Sequence, residues 1–232
     1  MSWFREACCP SLEAVRAAFR TGARRIELCE RLEIGGVTPS EELLRAALAA
    51  TPLPVNVLIR PRGGDFVYDE AEVQAMLESI RLCRALGANG VVIGALTPSG
   101  AVDLPVMRRL VAAAKEPAPL SVTFHRAFDE TADPSAALED IIALGCDRLL
   151  TSGHAPDAFA GRALIGALVR QAAGRIVVMA GCGVRPGNIA EIAAASGAPE
   201  YHSSCLSEAW PEPGPCVSGP ARAGSVFAKA KP

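Results

Sequence analysis

The chain has 232 residues, half of them hydrophobic, and a formal net charge of −2. That is enough for one large domain or two small ones around a sizeable core. The charge gives no electrostatic case for nucleic acid or an anionic membrane as a partner, and no stretch reaches the roughly 20 apolar residues of a membrane-spanning helix.

The opening Met1-Ser2-Trp3-Phe4-Arg5-Glu6 is charged before any apolar h-region forms, so it does not read as a secretory leader. A cytosolic setting is expected. There the eight cysteines read as reduced thiols rather than a disulfide framework. None of them forms a Cys-x-x-Cys pair, the local signature of structural zinc. Lysine occurs only at 115, 229 and 231, outside the expected strand ends, which argues against Schiff-base chemistry.

Short apolar segments recur along the chain, most of them just behind a glycine that can close a helix. Strands are expected near Phe4–Cys8, Arg25–Cys29, Val55–Arg60, Gly90–Ala95, Leu120–His125, Arg148–Thr151, Arg175–Ala180 and Glu200–Ser203. Between them lie Ala- and Leu-rich stretches with helical spacing, opened by capping signals. Thr38-Pro39-Ser40-Glu41 offers Thr as cap with Pro at the first helical position. Asp69-Glu70-Ala71-Glu72 is a capping box, and Asp133-Pro134 repeats the cap-and-proline pattern. Strict alternation of strand and helix implies parallel strands joined by right-handed crossovers. Eight such units predict an α/β (β/α)8 TIM barrel over residues 1–206. An open doubly wound sheet fits less well, because no Gly-x-Gly-x-x-Gly follows the first strand. Residues 207–232 read as a Pro-rich irregular tail. The eighth helix is expected to be absent, replaced by that tail, or displaced to the short stretch 222–230.

In such a barrel the chemistry gathers at the C-terminal strand ends. Those ends carry Glu6 and Cys8, Glu27 and Cys29, Arg60 with Arg62 and Asp65, then Thr123, His125, Arg126 and Asp129, and finally His202. Period-two alternation turns Glu6, Cys8, Glu27, Cys29, Thr123 and His125 inward. Glu27 and Arg60 are then expected to neutralise one another or a ligand. Leu58-Ile59-Arg60-Pro61-Arg62-Gly63-Gly64-Asp65-Phe66 stands out, with two arginines, two glycines and an aspartate behind an apolar run. It suits an anion grip or a turn locked by an Arg62–Asp65 pair. Cys8 and Cys29 end adjacent strands about 4.8 Å apart. Two soft sulfurs at that spacing suit Cu(I), although buried free cysteines also serve as small hydrophobes. Cys9 is expected to face outward, and Cys83 and Cys146 to fill the outer core. Gly181-Cys182-Gly183-Val184-Arg185-Pro186 resembles a phosphate cradle after strand seven.

Taken together these motifs resemble the copper homeostasis protein CutC family. The carriers are Glu6-Ala7-Cys8, Arg25-Ile26-Glu27-Leu28-Cys29, Gly35-Gly36-Val37-Thr38-Pro39-Ser40, Ile59 to Phe66, Thr123 to Asp129, Leu150-Thr151-Ser152-Gly153 and Tyr201-His202-Ser203-Ser204. The resemblance implies a cytoplasmic, often homo-oligomeric TIM barrel linked to copper, with Cys8 and Cys29 as Cu(I) ligands. Cys182 stands where the family usually has glycine, His154 replaces a small residue, and the tail does not follow the family. The alternative is an enzyme on a small phosphorylated or carboxylated substrate. In it Arg60 and Arg62 grip the anion, and Glu27 or His125 is the acid–base group.

Overall fold

The computed structural model describes residues 3–206 and 210–211. Eight parallel strands close into a barrel in sequence order: β1 (Arg5–Cys9), β2 (Arg25–Leu28), β3 (Val55–Leu58), β4 (Gly90–Ile93), β5 (Ser121–Phe124), β6 (Arg148–Thr151), β7 (Val177–Ala180) and β8 (Glu200–Ser203). Seven α-helices alternate with them among the described residues: α1 (Leu12–Arg20), α2 (Glu41–Ala50), α3 (Glu70–Leu86), α4 (Leu104–Lys115), α5 (Pro134–Ala143), α6 (Arg162–Ala172) and α7 (Ile189–Ser196). Two 3-10 turns, Leu32–Ile34 and Arg126–Glu130, sit in the loops after β2 and β5. The expected (β/α)8 architecture is the observed one. The stretch proposed for a displaced eighth helix lies outside the described residues.

The helices start where their capping chemistry directs. Asp69 accepts the Glu72 N–H while the Glu72 side chain accepts from the Asp69 N–H, closing a capping box. Asp133 caps α5. For α2 the cap is Ser40, not Thr38 as the sequence suggested. The Thr38 hydroxyl accepts the Arg60 N–H instead, tying the β2 loop to the end of β3. This bond explains why β3 stops at Leu58, short of the expected Arg60: the Arg60 amide leaves the ladder for a side chain. Likewise β5 ends at Phe124, and His125 caps the following 3-10 turn.

Strand alternation divides the interior into two environments. Ile26, Leu28, Val57, Ile93, Phe124 and Leu149 face the helices and form the large outer core, together with Cys9, Cys83 and Cys146. Cys8, Cys29, Leu58 and Val92 form a separate small cluster inside the barrel. Toward the N-terminal pole the barrel is filled by charge. Arg25 pairs with Glu6 and with Glu200, the latter at 2.6 Å. Arg148 donates to Glu200 at 2.9 Å and to the Ser121 hydroxyl at 2.7 Å. The Arg25 guanidinium also lies 4.9 Å from the Phe4 ring centre. Outside the same pole, Arg5 stacks 4.3 Å from the ring centre of Trp210, and Leu206 and Trp210 pack on the outer core.

Removing one partner of a buried network strands the others without water. Arg25→Met is therefore expected to destabilise the fold by about 3–5 kcal/mol, because Glu6 and Glu200 lose their shared cation. Urea unfolding measures this. A loss below about 1 kcal/mol would show that the network is not what holds the barrel interior.

Candidate functional site

A cavity of about 650 Å³ opens at the C-terminal end of the barrel, within the range of small-molecule sites. Strand register sets its floor. Cys8 stands opposite Glu27 across β1 and β2, and Glu6 opposite His202 across β1 and β8. Cys8, Glu27 and His202 each place a potential ligand atom within 4.8 Å of the others. Cys29 adds a second sulfur, 3.7 Å from that of Cys8.

The electrostatics of this floor follow from the buried charges around it. Burial alone would raise the Glu6 pKa. The Arg25 guanidinium and His202 more than offset this and hold the carboxyl at about 2. Ionised Glu6 therefore accepts from Nδ1–H of His202 at 2.9 Å. Burial opposes the charge on His202, but Glu27 and Glu6 prevail and its pKa is raised. Glu27 is pushed up to about 7 by burial, with His202 and Arg25 pulling the other way. Its Oε2 has no hydrogen-bond partner among the described residues, and His202 Nδ1 is 4.0 Å away. The hydrogen bond with Cys29, then burial and the Glu27 charge, raise the Cys8 thiol well above its ordinary range. The floor thus holds a carboxylate paired with Arg25 and His202, a carboxyl with no hydrogen bond at Oε2, and two sulfur atoms, of which the Cys8 thiol is held protonated.

One wall is made by Arg60, Phe66 and His125. The expected Glu27–Arg60 ion pair does not form. Arg60 donates to the carbonyls of Ile34, Gly36 and Gly64 and stacks 4.7 Å from the Phe66 ring centre. It pins the loops after β2 and β3 together. The ring of His125 packs 5.0 Å from that of Phe66. Gly94 makes room for it, since a Cβ there would lie 2.5 Å from the imidazole. Burial, then the Arg60 charge, lowers the His125 pKa to about 3, so the ring is neutral. Arg62 and Asp65 lie apart from the cavity. Arg62 donates to Asp65 at 3.0 Å and to Glu72 on α3 at 2.6 Å, so the turn is self-locked. Thr123 is buried inside the barrel, its hydroxyl unpartnered among the described residues.

Asp129 stitches the β5 loop to the end of β6. It accepts from Arg126, from the Thr151 and Ser152 hydroxyls, and from the Ser152 and His154 amides. His154 takes a left-handed φ of 52° and packs edge-on to Phe128. Cys182, also left-handed at φ 73°, donates its thiol to the Pro156 carbonyl on the rim.

The structure joins Glu6, Cys8, Glu27, Cys29 and His202 in one floor, puts Arg60, His125, Arg126 and Asp129 around the cavity, and leaves Arg62 and Asp65 outside. The Arg25–Glu200–Arg148 layer beneath the floor was not singled out from sequence. A signal existed: Arg25 shares the inward parity of Glu27, and Glu200 that of His202.

The CutC family model matches residues 3–207. The chain belongs to the CutC family. A CutC family protein of Parabacteroides distasonis is 53% identical over 203 residues, 87% of this chain and 82% of the relative. Another, of Xylella fastidiosa, is 50% identical over 202 residues, 87% of this chain and 74% of the relative. A crystal structure described as that of a candidate copper homeostasis protein CutC, from Streptococcus agalactiae, superposes with a TM-score of 0.82. It shows 32% identity over 88% of this chain and 100% of that one. An oxaloacetate acetylhydrolase bound to its product oxalate, 14% identical with a TM-score of 0.65, covers 89% of this chain and 76% of its own. That likeness shows the shared barrel fold alone.

The raised pKa of Glu27 gives a signed pH dependence. A carboxyl that holds its proton more tightly when folded favours folding at low pH. That contribution is lost as pH rises from about 4.5 through about 7. Glu27→Gln is expected to gain stability relative to the parent between pH 5 and pH 8, by on the order of 1–3 kcal/mol. Urea unfolding at both pH values checks it, and a pH-independent difference would contradict the assignment.

Proposed function

We propose that this protein serves copper homeostasis by holding Cu(I) as cargo at the floor of the barrel cavity, with the Cys8 and Cys29 sulfurs as ligands. The observation that carries the reading is the thiol pair itself. Two sulfurs about 2.3 Å from one ion at a tetrahedral angle stand roughly 3.8 Å apart, and the pair here is separated by 3.7 Å. Sulfur donors suit Cu(I) over harder ions. Glu27, with an unpartnered oxygen, and His202 stand within ligand reach of Cys8.

The site holds the Cys8 thiol protonated in the absence of an ion, so uptake displaces its proton and strengthens as pH rises. Cys29 is fully buried and Cys8 nearly so, with Cys8 at the cavity floor as the side from which an ion would enter. Cytoplasmic residence and homo-oligomeric assembly, implied by the family resemblance, complete the reading. Among the described residues no helix is long and apolar enough to cross a membrane.

An anaerobic Cu(I) titration against a chromogenic chelator tests the ligands. The parent protein is expected to retain one equivalent of copper. The double variant Cys8→Ser/Cys29→Ser is expected to lose it while keeping its circular dichroism spectrum. Equal retention by both proteins would refute the assignment.

A further inference from the structure

A copper ion explains the floor of the cavity but not its wall and rim. A bare cation has no use for three arginines, yet Arg60, Arg126 and Arg185 all line the space above it. Arg60 is committed to backbone carbonyls, and Arg126 is partly used by Asp129 and Ser152. The Arg185 side chain is exposed and makes no hydrogen bond or ion pair among the described residues.

Beside Arg185, the loop between β7 and α7 presents backbone donors. Among the described residues no acceptor is found for the amides of Cys182, Gly183 and Val184. Cys182 and Gly183 hold consecutive left-handed conformations, at φ 73° and 68°. Gly183 also lies against Asp157, whose Cβ would be 3.0 Å from an added side chain. Glu130 also lines the cavity, exposed and without a side-chain partner among the described residues, but the two carboxylates beside these donors are occupied. Asp129 is surrounded by its five donor groups, and Asp157 accepts the Ala160 amide.

Deeper in the same cavity, His125 supplies an independent sign of a ligand. It is 5% exposed. Its Nδ1 accepts the Ala127 N–H, so in the neutral ring the proton belongs to Nε2. That Nε2–H has no acceptor among the described residues. A buried, unpaired donor is costly, and an oxygen of a bound molecule would satisfy it.

We propose that the cavity binds a small organic phosphate, with its phosphate on the β7–α7 loop amides and the Arg126 and Arg185 side chains and an oxygen of its body on His125. The anion grip that the sequence placed on Arg60 and Arg62 therefore moves across the mouth. Phosphate is the class that matches several convergent N–H donors and two guanidinium groups. The cavity volume leaves room for an organic body beyond the anion. The proposal is independent of copper, because none of its groups is a proposed copper ligand.

Calorimetric titration of the metal-free full chain tests it, with glycerol 3-phosphate, inorganic phosphate and glycerol as probes. Glycerol 3-phosphate is expected to bind with one-to-one stoichiometry and more tightly than inorganic phosphate, and glycerol not to bind. Arg185→Ala and Arg126→Ala are each expected to weaken both phosphate probes about tenfold or more. Arg185 has no structural partner among the described residues, so loss in that variant cannot be ascribed to misfolding; its thermal midpoint without ligand should match the parent. Absence of binding by both phosphate probes at 10 mM (about the upper limit of a useful weak site) overturns the proposal. So does unchanged affinity in both variants. Inorganic phosphate binding as tightly as glycerol 3-phosphate would make this a free-phosphate site and overturn the organic ligand.

Discussion

Arg25 sits between Glu6 and Glu200 in the interior of a closed barrel, and much of the site depends on that arrangement. A barrel of eight strands must fill its own centre with side chains. Here the N-terminal half is filled with ions rather than branched aliphatics. The two arginines and two glutamates neutralise one another, which makes burial tolerable. The same pairing holds Glu6 ionised, and Glu6 in turn orients His202. Structure and site chemistry thus share one electrostatic chain.

That chain leaves Glu27 as the odd member. It shares the inward face with Arg25 but lies one layer higher, where the nearest ion-pair partner is the His202 ring at 4.0 Å. Burial outweighs the His202 and Arg25 charges and moves its pKa to about 7, and one oxygen has no hydrogen bond among the described residues. Beside it stand two sulfurs 3.7 Å apart, of which the Cys8 thiol keeps its proton. A floor rich in acceptors once deprotonated, under a wall and rim rich in donors, suits two different guests. The proposed soft cation would lie below and the proposed oxyanion above. Around the mouth, Arg60 is tied to the Gly36 and Gly64 carbonyls and Asp129 to the Ser152 amide, so the loops after β2, β3, β5 and β6 are braced.

Much of this was legible in the chain. The glycine-strand rhythm and the Asp69 and Asp133 caps are local signals, and each acts within a few residues. They are sufficient to count eight units and so to infer a barrel. Alternation likewise put Glu6, Cys8, Glu27 and Cys29 on one face, because the period of a strand is two whatever surrounds it. The Arg62–Asp65 lock was one of the two readings the chain offered, and it is present; the role of Arg60 and the tie from Arg62 to Glu72 were not legible. Arg60 and Arg62 looked like a matched pair in the sequence. Their partners, Ile34, Gly36 and Glu72, lie on other elements, and only loop packing shows that both guanidinium groups are occupied. Thr38 was misread as a helix cap for the same reason: its hydroxyl is taken by a distant amide.

The sequence by itself determined the fold class, the family and the inward face of each strand, since these follow from local propensity, short-range periodicity and contiguous motifs. Tertiary structure decided which charges are spent and which remain available. Barrel closure sets β8 beside β1 and so joins His202 to Glu6 across 196 positions. It also decided that Arg185 rather than Arg62 stands at the cavity. Electrostatic roles depend on distance and burial, and both are properties of the closed barrel, not of the order of residues along the chain.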